Sequence, residues 1–87
     1  MTVTRKHNRS EEEVRKTIEQ IAQQLSTDFG FEYGWKGSRL DFTRTGVNGY
    51  IEAHPGEIEV HIRKSFFIPL SDSFLREKVN EYMDEYL

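Results

Sequence analysis

The chain has 87 residues, a formal charge of −3 and no cysteine. That length suits a single domain, residues 1–87, which buries about 60% of its unfolded surface, and the missing cysteine excludes disulfides, thiol catalysis and Cys-ligated metal. The mild acidity argues against a general nucleic-acid binder, and no apolar run nears the ~18 residues of a membrane span.

The opening Met-Thr-Val-Thr-Arg-Lys-His-Asn carries no apolar signal region, so a cytoplasmic setting is expected. Charge is uneven along the chain. Arg5, Lys6 and Arg9 make the start basic, while Glu77, Glu81, Asp84 and Glu85 make the end acidic. A solvated surface of both signs explains this most simply; a partner surface is the sharper alternative.

Residues Thr2 to His7 predict a short edge strand, with Arg5 and Lys6 discouraging further pairing. Its neighbour is expected to be the end of the fifth strand. Ser10-Glu11-Glu12-Glu13 then forms a capping box, and three glutamates in the first turn favour the helix dipole. Val14, Ile18, Ile21, Ala22, Leu25 and Phe29 recur at helical spacing. Glu11/Arg15 and Glu12/Lys16 have the spacing of i,i+4 ion pairs, and Gly30 ends the helix as a left-handed residue.

From Phe31 to Ile62 apolar and polar residues alternate, with Gly or Pro at regular intervals, which predicts an antiparallel meander with one dry and one wet face. The second strand spans Phe31 to Trp35, with Phe31, Tyr33 and Trp35 on the dry side. A turn at Gly37-Ser38 pairs Trp35 with Leu40 and Tyr33 with Phe42; Lys36-Gly37 is the competing turn. A turn at Thr45-Gly46 pairs Phe42 with Gly49 and Leu40 with Ile51, an aromatic lying over a cross-strand glycine. It also sets Arg39 opposite Glu52 as an exposed ion pair. The His54-Pro55-Gly56-Glu57 turn pairs Ala53 with Ile58, Ile51 with Val60 and Tyr50 with His61. All three hairpins agree on the dry face, and a slip of one residue would invert a strand.

Past Ile62 the alternation blurs in Phe66-Phe67-Ile68-Pro69-Leu70. Phe66 and Ile68 are expected to point in and Phe67 out, with Pro69 stopping the pairing. Ser71, Asp72 or Ser73 caps a last helix whose stripe is Phe74, Leu75, Val79, Tyr82, Met83 and Tyr86, with Val79 slightly off its centre. Acids near its C-terminus oppose the dipole, so this helix depends on tertiary packing. The fold class is therefore α+β, ordered β-α-β-β-β-β-α, a twisted antiparallel meander with two helices packed on one face.

Chemistry is sparse in this pattern. His7, His54 and His61 have no zinc-type spacing, so they read as surface histidines and no metal is expected. Asp41, Tyr50 and His61 fall side by side on the wet face, the one acid–phenol–imidazole grouping the registers build; an open sheet face offers no cleft for acid–base work. The glycines form no phosphate loop, and no nucleophile elbow occurs. No catalytic or cofactor-binding residue is expected. The candidate interaction surface is Phe66, Phe67, Ile68 and Leu70, an apolar strip that a small core need not absorb, together with Tyr50 and His61 on the open face.

The Arg5-Lys6-His7 strand before a Ser10-opened helix is followed by Phe29-Gly30-Phe31-Glu32-Tyr33-Gly34-Trp35-Lys36-Gly37. Leu40-Asp41-Phe42, Gly46-Val47-Asn48-Gly49 and Ile51-Glu52 come next, then an apolar-Pro junction and a closing helix. In these residues the chain resembles the polyhydroxyalkanoic acid system protein family of bacteria, over nearly its whole length. The resemblance implies a cytoplasmic, granule-associated accessory protein of storage-polyester metabolism, and it supplies no catalytic residues. Its expected partner is the polyhydroxyalkanoate granule or a granule-associated protein; the sheet edges and open face also leave room for a homodimer. The alternative is a small-ligand binder or small enzyme with a pocket between sheet and helices lined by Tyr33, Trp35 and Tyr82.

Overall fold

The computed structural model describes residues 1–65 and 67–87; Phe66 lies outside the described residues. The elements are β1 (Thr2–Lys6), α1 (Glu11–Phe29), β2 (Glu32–Lys36), β3 (Arg39–Arg44), β4 (Val47–His54), β5 (Glu57–Lys64) and α2 (Asp72–Tyr86). They form a five-stranded antiparallel sheet in the order β1-β5-β4-β3-β2. The expected class and element order hold. The second strand starts and ends one residue later than its alternation suggests, and β1 stops at Lys6.

Turn chemistry sets the register. The three hairpin loops each have two residues, and Gly37, Gly46 and Gly56 sit in them at φ +63°, +78° and +76°. Gly37 takes the first loop position, as a type II′ turn needs. Pro55-Gly56 places Pro first and Gly second, the residue preference of a type II turn. The expected pairs follow: Trp35 with Leu40, Phe42 with Gly49, Ile51 with Val60 and Tyr50 with His61. β1 joins β5 with Val3 opposite Val60, so the fifth strand is its neighbour as expected, but the pairing covers the start of that strand, Glu57 to His61, rather than its end.

The dry face carries Val3, Leu40, Phe42, Val47, Ile51, Ile58, Val60 and Ile62, all buried. One core cluster joins them to Val14, Ile18, Ile21, Ala22 and Leu25 of α1 and to Leu75, Val79, Tyr82 and Met83 of α2. Val79 is fully part of that core, although its helical position lies off the stripe centre. Phe74 is exposed, because α2 turns its first apolar residue towards the α1 terminus, where its ring meets Phe29 edge to face at 6.3 Å.

Both helices begin as their sequences dictate. Ser10 Oγ accepts the Glu13 amide at 3.2 Å, while Glu13 Oε1 accepts the Ser10 amide at 3.3 Å. Ser71 Oγ accepts the Phe74 amide at 3.1 Å, which selects Ser71 among the three candidate caps. Gly30 closes α1 at φ 74° with its amide on the Ser26 carbonyl.

The opposed charges of the two chain ends meet within the molecule. Arg5 reaches from β1 to Asp84 at 2.8 Å and to the Asn80 side chain at 3.1 Å, and Arg9 donates to the Leu87 carbonyl. Asp84, which opposes the α2 dipole, thus finds a cation from another element. The expected Arg15 pair with Glu11 gives way to a different arrangement. Arg15 donates to the Gly37 carbonyl at 3.0 Å and lies 4.0 Å over the Trp35 ring.

Between the helices the Tyr82 hydroxyl donates to Asp28 Oδ2 at 2.8 Å, and the Tyr86 hydroxyl donates to Gln24 Oε1 at 2.8 Å. The Tyr82 bond, with a second from Gln24, lowers the Asp28 pKa; burial and the Asp28 carboxylate raise that of Tyr82. A depressed carboxylate pKa stabilises the fold above its unfolded value of about 3.9, and this contribution is lost as pH falls through the folded value. Tyr82→Phe should therefore lower the melting temperature at pH 7, with a deficit that shrinks as pH falls below the unfolded carboxylate value and through the lowered one; a deficit independent of pH would count against the bond to Asp28. Gly49 gives a second test. A Cβ built there would stand 2.0 Å from the His61 carbonyl oxygen and 2.8 Å from Phe42 Cζ. Gly49→Val should destabilise the fold by about 1–3 kcal/mol, the usual range for overpacking, as read by urea unfolding.

Candidate functional site

The wet face is a grid of side chains fixed by the hairpin registers. One row runs Gly34, Asp41, Tyr50, His61 and Thr2 across all five strands. The next runs Lys36, Arg39, Glu52, Glu59 and Thr4, and His54 faces Glu57 beyond it. Sequence reasoning placed Asp41, Tyr50 and His61 side by side, and they are. Their polar atoms, however, serve separate partners. Asp41 binds Lys36 at 3.3 Å and Arg39 at 3.2 Å, the Tyr50 hydroxyl donates to Glu59 Oε2 at 2.9 Å, and His61 Nδ1 lies 2.9 Å from Thr2 Oγ1. Tyr50 and His61 meet only as rings, stacked at 5.2 Å. No direct hydrogen bond joins the three.

The expected Arg39–Glu52 ion pair does not form, although the two residues do face each other. Arg39 turns along its own strand to Asp41, and its guanidinium lies 4.5 Å over the Tyr50 ring. A carboxylate two residues away on the same face and an aromatic face together outbid the cross-strand partner.

One side chain that joins two neighbours on this face was not a sequence candidate. Glu59 accepts from Tyr50 through Oε2, and its Oε1 lies 2.9 Å from His54 Nε2. These bonds, His54 first, lower the Glu59 pKa. The bond to Glu59 likewise raises His54 and Tyr50 above their ordinary values. Glu52, His54 and Glu59 are the described His and carboxylate residues whose ligand atoms could share a cation. The signal was present as Glu-x-His before a Pro-Gly turn, with Glu59 five residues after His54. The period of two puts Glu52 and His54 on one face, and the turn brings Glu59 opposite Glu52.

An open depression of about 650 Å³ lies on this sheet, with Gly34, Arg39, Asp41, Tyr50, His61 and Arg63 in its lining. A narrower cleft of about 420 Å³ opens among His7, Val14, Ala53 and Pro55. Of Tyr33, Trp35 and Tyr82, expected to line one pocket, Tyr33 and Trp35 both border the sheet depression, whereas Tyr82 lies between the helices. Tyr82 is held by Asp28, Trp35 Nε1 donates to Glu19 at 3.4 Å, and the Tyr33 side chain stands at the β2 edge.

The apolar strip after β5 divides. Ile68 and Leu70 are partly buried against the core, and Ile68 lies over Gly46, its Cδ1 2.4 Å from where a Cβ would stand. Phe67 points outward and is 86% exposed. Phe66 is outside the described residues. Tyr50 and His61 lie on the wet face and Phe67 to Leu70 in the loop beyond β5, so the five described candidates make two surfaces rather than one.

These features define a small α+β domain of the antiparallel-meander class, with two helices sharing one core with the sheet. The family described as "Putative polyhydroxyalkanoic acid system protein" matches residues 1–87, and the chain belongs to it. The expected resemblance is thus correct, and the family's name associates the chain with the polyhydroxyalkanoate system. A search of curated proteins finds no match. Among the described residues no helix is long and apolar enough to cross a membrane.

Gly34 is the counterpart of Gly49. Its φ lies outside the left-handed region, and a Cβ built there meets nothing within 4 Å. Neither backbone conformation nor crowding requires glycine in this strand. Gly34→Thr should be tolerated or stabilise the fold by about 0.5–1 kcal/mol, since interior strand glycines are entropically costly; a clear drop in melting temperature would contradict this open geometry.

Proposed function

We propose that the chain is a non-enzymatic accessory protein of polyhydroxyalkanoate metabolism, resident in the cytoplasm, that docks on the surface of the storage granule. The observation that carries this reading is Phe67, a large apolar side chain 86% exposed in the loop between β5 and α2. Family membership supplies the polyester context.

The loop is held at both ends, so Phe67 is presented from a fixed frame. The Ser65 amide donates to the Gly46 carbonyl at 2.7 Å, and the Ile68 amide donates to the Ser65 carbonyl at 3.1 Å. Ile68 packs over Gly46, and Ser71 caps α2 just beyond. A side chain delivered this way loses little conformational freedom on docking. Lys64, paired at 3.8 Å with the exposed Asp72, gives the strip a charged border. Burial of one phenylalanine contributes about 1.5–3 kcal/mol, enough to shift a partition equilibrium by a factor of about ten or more.

The non-enzymatic part of the reading rests on the wet face. Its acid, phenol and imidazole are each committed to a different neighbour, and the face is open. General acid–base chemistry needs groups aimed at one reacting atom in a water-poor site.

The test is fractionation of cells that accumulate the polyester. Wild-type protein should sediment with the granules, and Phe67→Asp, its fold checked by circular dichroism, should raise the soluble-to-bound ratio about tenfold or more. Wild-type protein found wholly in the soluble fraction overturns the reading. Loss of sedimentation from granules stripped of protein would reassign the docking partner from polymer surface to a granule protein.

A further inference from the structure

The β4–β5 hairpin carries an electrostatic conflict that the rest of the sheet does not relieve. Glu52 and Glu59 stand directly opposite each other, and Glu57 stands opposite His54. Like charges directly opposed across a ladder are destabilising unless something lies between them. Glu59 is compensated by His54 and Tyr50. Glu52 is not. Arg39, the cation that faces it from β3, is committed to Asp41 and the Tyr50 ring, and Glu52 makes no hydrogen bond or ion pair with any described residue.

We propose that Glu52, His54 and Glu59 form a binding site for a divalent transition-metal ion of the zinc class. One ligand atom from each residue lies within 4.8 Å of the other two. Donors bound at about 2.0–2.2 Å around one ion are held roughly 3–4.4 Å apart, so small side-chain rotations complete the set. An imidazole nitrogen with two carboxylates suits zinc or manganese, whereas magnesium and calcium favour all-oxygen sites. The side chains are half-buried on rigid paired strands, and the ladder register fixes their spacing. Glu59 is also oriented from behind. Tyr50 holds its Oε2, which leaves Oε1 towards His54 and Glu52, the outer-shell arrangement that positions metal-binding carboxylates. Three protein ligands leave at least one position for water, and the bound ion cross-links β4 to β5 next to the Pro55-Gly56 turn.

The full chain, freed of metal by chelator and dialysis, is titrated calorimetrically with zinc chloride, manganese chloride and magnesium chloride separately. One zinc ion per chain should bind, with magnesium bound at least tenfold more weakly. Glu52→Gln, His54→Ala and Glu59→Gln should each weaken zinc binding at least tenfold, and Tyr50→Phe should weaken it by about tenfold through the loss of its bond to Glu59. His7→Ala and His61→Ala, the other two histidines, should bind zinc as the parent does. Circular dichroism of each variant without metal separates loss of ligand from loss of fold, and Glu52→Gln, which removes no contact, keeps the test decisive. Absence of stoichiometric zinc binding in the parent, or unchanged affinity in Glu52→Gln and His54→Ala, overturns the proposal.

Discussion

Everything in this molecule depends on three two-residue turns keeping four strands in phase. Each loop adds an even number of residues between paired positions, so apolar residues from β2 to β5 arrive on the same side. A single inserted residue in any turn would carry a whole strand's apolar set to the solvent. Gly37, Gly46 and Gly56 hold the positive φ values that such short loops demand. The sheet so formed has a continuous dry face, and both amphipathic helices share one core with it.

The helices are fastened by contacts that neither could make alone. α2 has acidic residues in an unfavourable place near its C-terminus, yet Arg5 of β1 reaches Asp84, and Tyr82 and Tyr86 extend hydroxyls to Asp28 and Gln24 of α1. One ion pair, Arg5 with Asp84, thus joins the basic start of the chain to its acidic end. Arg5 shares a face with Val3 and so points inward on an edge strand, a placement that also discourages addition of another strand at β1.

Two regions of the surface differ in character. The loop after β5 is apolar and pinned, and it turns one phenylalanine to solvent. The wet face is polar, and its side chains choose partners along strands as well as across them. Arg39 illustrates the rule: its choice of Asp41 and the Tyr50 ring leaves Glu52 facing Glu59 without a cation between them. The proposed docking loop and the proposed ion site thus lie on separate parts of the surface.

Period-two alternation, turn residues and helix caps were sufficient to give the class, the element order, the registers and most of the core, because these follow from local backbone preference and burial of one face. Ser10 with Glu13, Gly30 and the Phe42–Gly49 pair were all legible in the chain alone. Side-chain partner choice was not. Whether Arg39 meets Glu52 or Asp41, whether Arg15 pairs with Glu11 or covers Trp35, and how Val79 enters the core depend on rotamers and distances set by several elements at once. The Glu52–His54–Glu59 grouping belongs to the same level: its spacing is visible in the sequence, but its meaning comes from where the neighbouring cation goes. The sequence by itself determined the sheet and its dry face. Only the tertiary structure decided which surface charges are satisfied, because long polar side chains answer to every neighbour within reach rather than to their own strand.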